Sequence, residues 1–470
     1  MAGKFSWRMA SLMFPAMLFP QQAAVRAQAS GPLLSAFVVL GEEGQPVARA
    51  IVQADQCPVV TVDGRDRPMR LRAAPSTEPL RSTASDPVLS KPSAFPVRVC
   101  ELPLPAGTQT ASVEGQALPL PPKHINRIVV IGDTGCRLKA KDDAWQACND
   151  PQQYPFARIA ARAAAWKPDL VVHVGDYLYR ENPCAEGHPG CAGSPWGYGW
   201  DAWDADFFRP GAPLLAAAPL ALARGNHENC ARAGQGWWRL LDPRPLQAGH
   251  DCNDPANDTA GDYSPPYAVP LGEGAQVVMM DLSHAGTKAI APADPRVAQY
   301  RQTARMLKRM TAGKAFTFAV DHYPFLGIRA EARANGKVKL HGGNRALDPI
   351  FAEENKRIMP KGVDVLLAGH IHVGEQADFG GREPSQFVAG FSGTQEDTVP
   401  LPRTLPSKVS LAPGTSVRRF DAIVASFGFM TLERTGRRSW RASVFDVDGH
   451  KVRQCRIKGR RSRCRAVGNI

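Results

Sequence analysis

Gly132-Asp133-Thr134-Gly135 and Gly175-Asp176-Tyr177-Leu178-Tyr179 share one pattern: a Gly-Asp pair directly behind an apolar run, residues 127–131 and 170–174 respectively. An Asp-x-His block would supply a second metal ligand in the first stretch, but Gly135 stands there and carries no donor atom. A metal held by Asp133 therefore needs another donor. Tyr179, three residues past Asp176, offers a phenol oxygen. A phenolate is a hard oxygen ligand that suits Fe(III).

From Arg127 onward, strand-like runs alternate with loops and helical segments. Residues 220–223, 276–281, 314–320 and 363–368 read as further buried strands, and 155–166 as a helix. Asp294-Pro295 forms an N-cap and first helical position ahead of an amphipathic helix over 297–310. Residues 427–432 and 440–446 flank Arg434-Thr435-Gly436 and read as a hairpin. Such alternation predicts the α/β class, whose sites form at the carboxyl ends of strands. Three more polar blocks fall at such ends: Gly225-Asn226-His227-Glu228, Val320-Asp321-His322 and Gly369-His370-Ile371-His372. Each block alone is weak, and the force lies in five of them in order, each behind a strand. In an extended His-x-His both rings face one side, as two adjacent metals require. Carboxylates and a phenolate favour a hard trivalent ion, whereas imidazoles and an amide oxygen suit a divalent one.

These five blocks resemble the calcineurin-like metallophosphoesterase superfamily, and the Gly-Asp-x-Gly and Gly-Asp-x-x-Tyr forms resemble its purple acid phosphatases. The resemblance covers roughly residues 127 to 395. It implies a four-layer αββα sandwich, here preceded by a small β-rich N-terminal domain. It implies a dinuclear metal centre: Asp133, Asp176, Tyr179 and His372 around Fe(III), with Asp176 bridging to a divalent iron, zinc or manganese completed by Asn226, His322 and His370. The implied reaction is hydrolysis of small phosphate monoesters by a metal-bound hydroxide, with His227 as proton donor or charge stabiliser at the leaving oxygen. A phosphodiesterase acting on nucleotides or lipid headgroups is the alternative. A noncatalytic binding protein on the same fold comes third, since the ligand set is complete. One departure stands out. Purple acid phosphatases carry further histidines about ten residues past the position of His322; here Arg329 to Arg333 occupy that region, and the next histidine is His341. Arg329 or Arg333 either binds phosphate oxygens or is a surface arginine.

The remainder of the chain sets organisation and compartment. Residues 1–29 read as an export signal, with Lys4 and Arg8 before an apolar stretch over 9–19 and Ala27-Gln28-Ala29 as a small-x-small cleavage site. The protein is therefore expected to be periplasmic or secreted. No later run is long enough to be a transmembrane segment. Residues 30–122 carry short β-type runs between turn-rich segments and read as the β-rich domain; Pro119, Pro121 and Pro122 lead into a catalytic domain over 123–450. Without Lys4, Arg8 and Arg26 the net charge falls from +13 to +10, and residues 451–470 supply eight cations and no acid. With no aromatic residue for base stacking, this segment reads as a solvated basic tail, and no specific nucleic-acid partner is expected. The sequence says nothing about oligomeric state.

Ten cysteines without a Cys-x-x-Cys favour disulfides over a zinc cluster in an exported chain. Sequential pairing gives Cys57–Cys100, Cys136–Cys148, Cys184–Cys191, Cys230–Cys252 and Cys455–Cys464, and three of these brace loops bearing candidate ligands. Trp196, Tyr198, Trp200, Trp203, Trp237 and Trp238 either line a cleft or pack beneath the loops. His173, inside a strand run, reads as a core histidine, and His284 lies where it could approach the site.

Overall fold

The structure is a computed structural model that describes residues 1–3, 31–81, 85–333, 335–402, 409, 411–412 and 414–467. Apart from its first three residues, the expected export segment lies outside the described residues. Two large sheets organise the chain. The first has eleven strands, in the order Arg461–Ala466, Lys451–Lys458, Ser439–Asp446, Gly428–Gly436, Arg127–Ile131, Leu170–His173, Leu220–Leu222, Leu33–Leu40, Pro46–Val52, Arg98–Pro103 and Arg70–Ala73. The second has seven: Tyr267–Gly272, Ala275–Met279, Phe316–Val320, Val365–Ala368, Ser385–Ala389, Gly374–Phe379 and Val417–Ile423.

The strands at the centre of each sheet are parallel and apolar on both sides, because both faces are covered. Ile128, Val130 and Val172 of the first sheet share one buried cluster with Val277, Phe318 and Leu367 of the second. The alternate residues turn outward. Val129, Ile131 and Val171 pack with Phe156 and Ile159 of the helix Phe156–Ala165. Val278, Ala319 and Leu366 pack with Val297, Tyr300 and Leu307 of the helix Pro295–Met310. The result is helix, sheet, sheet, helix, the expected four-layer α/β sandwich. The Pro295–Met310 helix starts where its sequence says it should, with the Asp294 carboxylate accepting from the Arg296 N–H at 2.9 Å.

The N-terminal region is β-rich, but the sheet does not break at residue 122. Val39 pairs in parallel with Leu220, so Leu33–Leu40 continues the central sheet. Leu220–Leu222 would otherwise be an open edge of unpaired N–H and C=O groups. Buried Arg49 fastens the junction, donating to the Leu240 carbonyl at 2.7 Å and the Asp242 carbonyl at 3.0 Å and pairing with Glu101 at 3.3 Å. Within this region Val59–Val62, Arg65–Pro68, Ala111–Val113 and Gln116–Ala117 form a sheet of their own.

The basic tail expected over 451–470 is likewise corrected. Residues 451–458 and 461–466 form a hairpin that completes the edge of the first sheet, and residues 468–470 lie outside the described residues. Cys455 and Ile457 turn inward while Arg456 and Lys458 face out, a period-2 pattern masked by the density of basic side chains. All five sequential disulfides are present. Of the loop aromatics, Tyr198, Trp200, Trp203, Trp237 and Trp238 are buried packing residues rather than cleft walls. Trp196 is half-buried beneath the Lys91 ammonium at 4.4 Å. Among the described residues no helix is long and apolar enough to cross a membrane.

Two predictions follow from this packing. A chain beginning at Lys123 loses the strand that covers Leu220–Leu222, and is expected to aggregate or melt at least 10 °C lower; an unchanged melting transition would mean that the N-terminal region folds apart. The second concerns Glu375, which accepts from the Ile328 N–H at 3.2 Å and whose buried carboxyl is pushed up to about 8. A carboxyl that is neutral when folded and ionised when unfolded gives stability that is complete at low pH and lost as pH rises through about 8. Glu375→Gln should therefore gain in melting temperature relative to wild type from pH 5 to pH 8, and parallel melting curves would contradict this.

Candidate metal centre

Each polar block lies at the carboxyl end of a parallel strand. Asp133 follows Ile131, Asp176 follows His173, Asn226 follows Leu222, His322 follows Val320 and His370 follows Ala368. Three of these residues have left-handed backbones: Asp133 at φ 53°, Asp176 at φ 58° and His370 at φ 70°. Such conformations cost roughly 1–3 kcal/mol each and persist only where neighbours enforce them. Here the Asp133 N–H donates to the Gly175 carbonyl, and the Thr134 N–H to the Asp176 carbonyl, both at 3.0 Å. The His370 N–H donates to Asp133 Oδ2 at 3.0 Å, and the His227 N–H to Asp176 Oδ1 at 2.8 Å.

Two buried acids that sequence reasoning passed over hold these loops. Glu228 accepts from the backbone N–H groups of Asp176 at 3.1 Å, Tyr177 at 2.8 Å and Gly225 at 3.1 Å. Asp206 accepts from the N–H of Cys136 at 3.0 Å and of Tyr179 at 2.8 Å, and pairs with Arg180 at 2.5 Å. Gly135 now has a reason of its own. A Cβ there would stand 2.7 Å from Asp206 Oδ2, the Tyr177 carbonyl oxygen and the Tyr179 nitrogen. The residue that offers no ligand is the one that lets the Tyr179 loop come close.

The seven predicted ligands converge. The Tyr179 hydroxyl lies 2.8 Å from Asp133 Oδ1, 2.8 Å from Asp176 Oδ2 and 3.0 Å from His372 Nε2. His322 Nε2 is 3.1 Å from Asp176 Oδ2 and 3.0 Å from Asn226 Oδ1, and His370 Nδ1 is 2.9 Å from that same amide oxygen. The outer nitrogens of two rings face carbonyls: His322 Nδ1 the Val174 oxygen at 2.9 Å, and His372 Nδ1 the Gln395 oxygen at 2.8 Å. A proton on each Nδ1 leaves the Nε2 lone pairs aimed inward. One phenol proton cannot serve three acceptors, and the amide oxygen faces two more nitrogens. This excess of lone pairs fits cations.

The electrostatics make the same demand. Burial, then Asp133 and Asp176, hold the Tyr179 phenol well above its ordinary range. Burial opposes charge on His322, but Asp176, Asp133 and the Val174 carbonyl together outweigh it and push the imidazole up to about 10, whereas burial and His322 hold the His370 imidazole well below its ordinary range, so positive charge is drawn to the Asp176 side of the pocket. The donor chemistry therefore fits a pair of metal ions, with Asp176 Oδ2 reaching both the Tyr179 and the His322 sides.

His227 stands at the rim, its ring 3.8 Å from that of Tyr179. Its Nδ1 is 3.1 Å from the Leu178 carbonyl and 3.1 Å from Glu181 Oε1, while Nε2 is 3.8 Å from Asp176 Oδ2. Burial and the Arg232 guanidinium bring this imidazole down to about 4. Glu181 also pairs with Arg232 and accepts from Ser85 at 2.7 Å and Tyr198 at 3.0 Å. As expected, His173 is a core histidine: Nδ1 accepts from the Gly175 N–H at 3.1 Å, Nε2 meets Thr134 Oγ1 at 3.0 Å, and the ring stacks on Tyr177 at 3.8 Å. His284 pairs with Asp262 at 3.1 Å, and Arg329 and Arg333 are exposed on the hairpin that follows His322.

The family model for calcineurin-like phosphoesterases matches residues 126–374, more than half of the chain and the whole span from Asp133 to His372. Among solved structures, the chain is similar to the purple acid phosphatase PPD1 from yellow lupin (Lupinus luteus) seeds, with 14% identity and a TM-score of 0.49 over 93% of this chain and 75% of that one. It is similar to PhoD at 11% identity and a TM-score of 0.49 over 93% and 92% of the two chains. It is also similar to GAP50 of the Plasmodium inner membrane complex, at 10% identity and a TM-score of 0.36 over 72% and 90%. No curated protein matches the chain. With the five ordered blocks lying inside the matched span, the chain belongs to the calcineurin-like phosphoesterase family.

Proposed function

We propose that the protein is an exported phosphomonoesterase with a dinuclear centre, in which Asp133, Asp176, Tyr179 and His372 hold Fe(III) and Asp176, Asn226, His322 and His370 hold divalent iron, zinc or manganese. The observation that carries this reading is the Tyr179 hydroxyl lodged 2.8 Å from each of two carboxylates. The metal ions would neutralise phosphate oxygens and make a water molecule acidic at neutral pH.

The chain's own residues supply the rest. Asp176 Oδ2 is 2.8 Å from the Tyr179 oxygen and 3.1 Å from His322 Nε2, so one carboxylate serves both halves of the site. Glu181 and the Leu178 carbonyl face His227 Nδ1 and the Arg232 guanidinium lies 2.7 Å from Nε2, so the ring is held neutral, and the negative charge of a phosphate ester bound beside it would raise its affinity for the proton that it passes to the leaving oxygen. Arg232 and Glu181 keep that ring in place as a buried pair. Five disulfides are what an oxidising compartment would produce, which supports export.

The test compares a chromogenic aryl monoester, an alkyl monoester and the corresponding diester on metal-loaded protein. Monoesters should turn over faster. His227→Ala should lower kcat by about 100-fold or more on the alkyl ester, which needs a proton at its leaving oxygen, and by less on the aryl ester. Faster diester hydrolysis would make the protein a phosphodiesterase, and metal uptake without either activity would make it a binding protein.

A further inference from the structure

The hairpin Lys451–Lys458 and Arg461–Ala466 plays no part in the metal site, yet it concentrates the chain's excess charge. Register sets Arg456 opposite Arg441 on one side and Arg463 on the other, and Lys458 opposite Arg461. Neighbouring strands lie about 4.8 Å apart, so these like charges stand side by side, an arrangement that destabilises a sheet. Few acids relieve it. Arg441 pairs with Glu433 at 2.9 Å, and Arg461 faces Asp378 at 3.7 Å. Among the described residues Arg456, Lys458 and Arg463 have no acidic partner, and all three are exposed. Together with Arg419 and Arg465 they line a cavity of about 910 Å³.

Basic residues on an edge strand also guard against edge-to-edge pairing. That accounts for Arg463 on the outermost strand but not for Arg441 and Arg456, which lie on strands already paired on both sides. The row lies away from the catalytic end of the sheet. Glu433 pairs with both Arg441 and Arg127, so the row sits level with the amino end of the Arg127–Ile131 strand, whereas Asp133 follows its carboxyl end.

We propose that this face docks a linear oxyanion polymer along the row Arg441, Arg456 and Arg463. Planar guanidinium forks match phosphate or sulfate oxygens in pairs, and a row of them across three strands suits an extended chain. A bilayer fits less well. The face is concave, and among the described residues the exposed large apolar side chains, which include Leu34, Val59, Leu71, Leu80, Val88 and Val338, all lie on other segments, so nothing on the hairpin would insert.

Heparin, which is not a phosphate ester, serves as the probe, titrated against full-length metal-loaded protein at several salt concentrations. The variant Arg456→Gln/Lys458→Gln/Arg463→Gln should bind at least tenfold more weakly, and its slope of log affinity against log salt should fall by about 2 to 3. Arg301→Gln/Arg305→Gln/Lys308→Gln, on the exposed side of the Pro295–Met310 helix, removes the same charge elsewhere and should bind as wild type does. Turnover of a small monoester should be unchanged in both. If the hairpin variant does not fold, Arg463→Gln alone should lower the slope by about 1. Equal weakening by both triple variants, tighter binding to phosphatidylglycerol vesicles than to heparin, or an unchanged slope would overturn the proposal.

Discussion

Three acceptors crowd one hydroxyl: two carboxylates and an imidazole nitrogen lie within 3.0 Å of the Tyr179 oxygen. Buried acceptors pressed together in this way repel one another unless positive charge lies among them. The pocket meets that need in two ways: by drawing protons, as the upward push on His322 reveals, and by offering a donor set suited to metal ions. The surrounding architecture serves to hold these oxygens and nitrogens together against that repulsion.

The strained backbones at Asp133, Asp176 and His370 are the visible cost of the arrangement. They persist because the loops are over-determined. Glu228 gathers the N–H groups of the Asp176 loop, Asp206 ties Cys136 to Tyr179, and the Cys136–Cys148 disulfide closes the loop beside Gly135. The N-terminal region joins in. Arg81 donates to the Cys230 carbonyl at 3.3 Å and pairs with Asp258, and Ser85 donates to Glu181, the residue that holds His227. A loop far from the candidate site in sequence thus reaches the group expected to give the proton.

The seven residues that converge were legible because each falls within a few positions of the end of an apolar run, and apolar runs with buried faces are the strongest signal a sequence carries. The helix at 295–310 was legible for the same reason, through its cap. Glu228, Asp206, Glu181 and Arg232 were not, since a buried charged loop residue has the same letters as a solvated one and only its partners distinguish it. The continuity of the sheet into the N-terminal region was not legible, because parallel pairing such as Val39 with Leu220 joins segments far apart in sequence and leaves no local pattern. The C-terminal hairpin was harder to read because eight cations mask the inward alternation of Cys455 and Ile457, a pattern present in the letters. The disulfides succeeded because sequential pairing gives the shortest loops.

The most direct measurement is metal content together with the visible absorption spectrum of mature wild-type protein and Tyr179→Phe. The account predicts two metal ions per chain, at least one of them iron, a visible tyrosinate-to-Fe(III) band in the wild type, and loss of that band in Tyr179→Phe with the iron retained or weakened. A colourless protein that holds zinc alone, with the same spectrum and metal content in both forms, would contradict it.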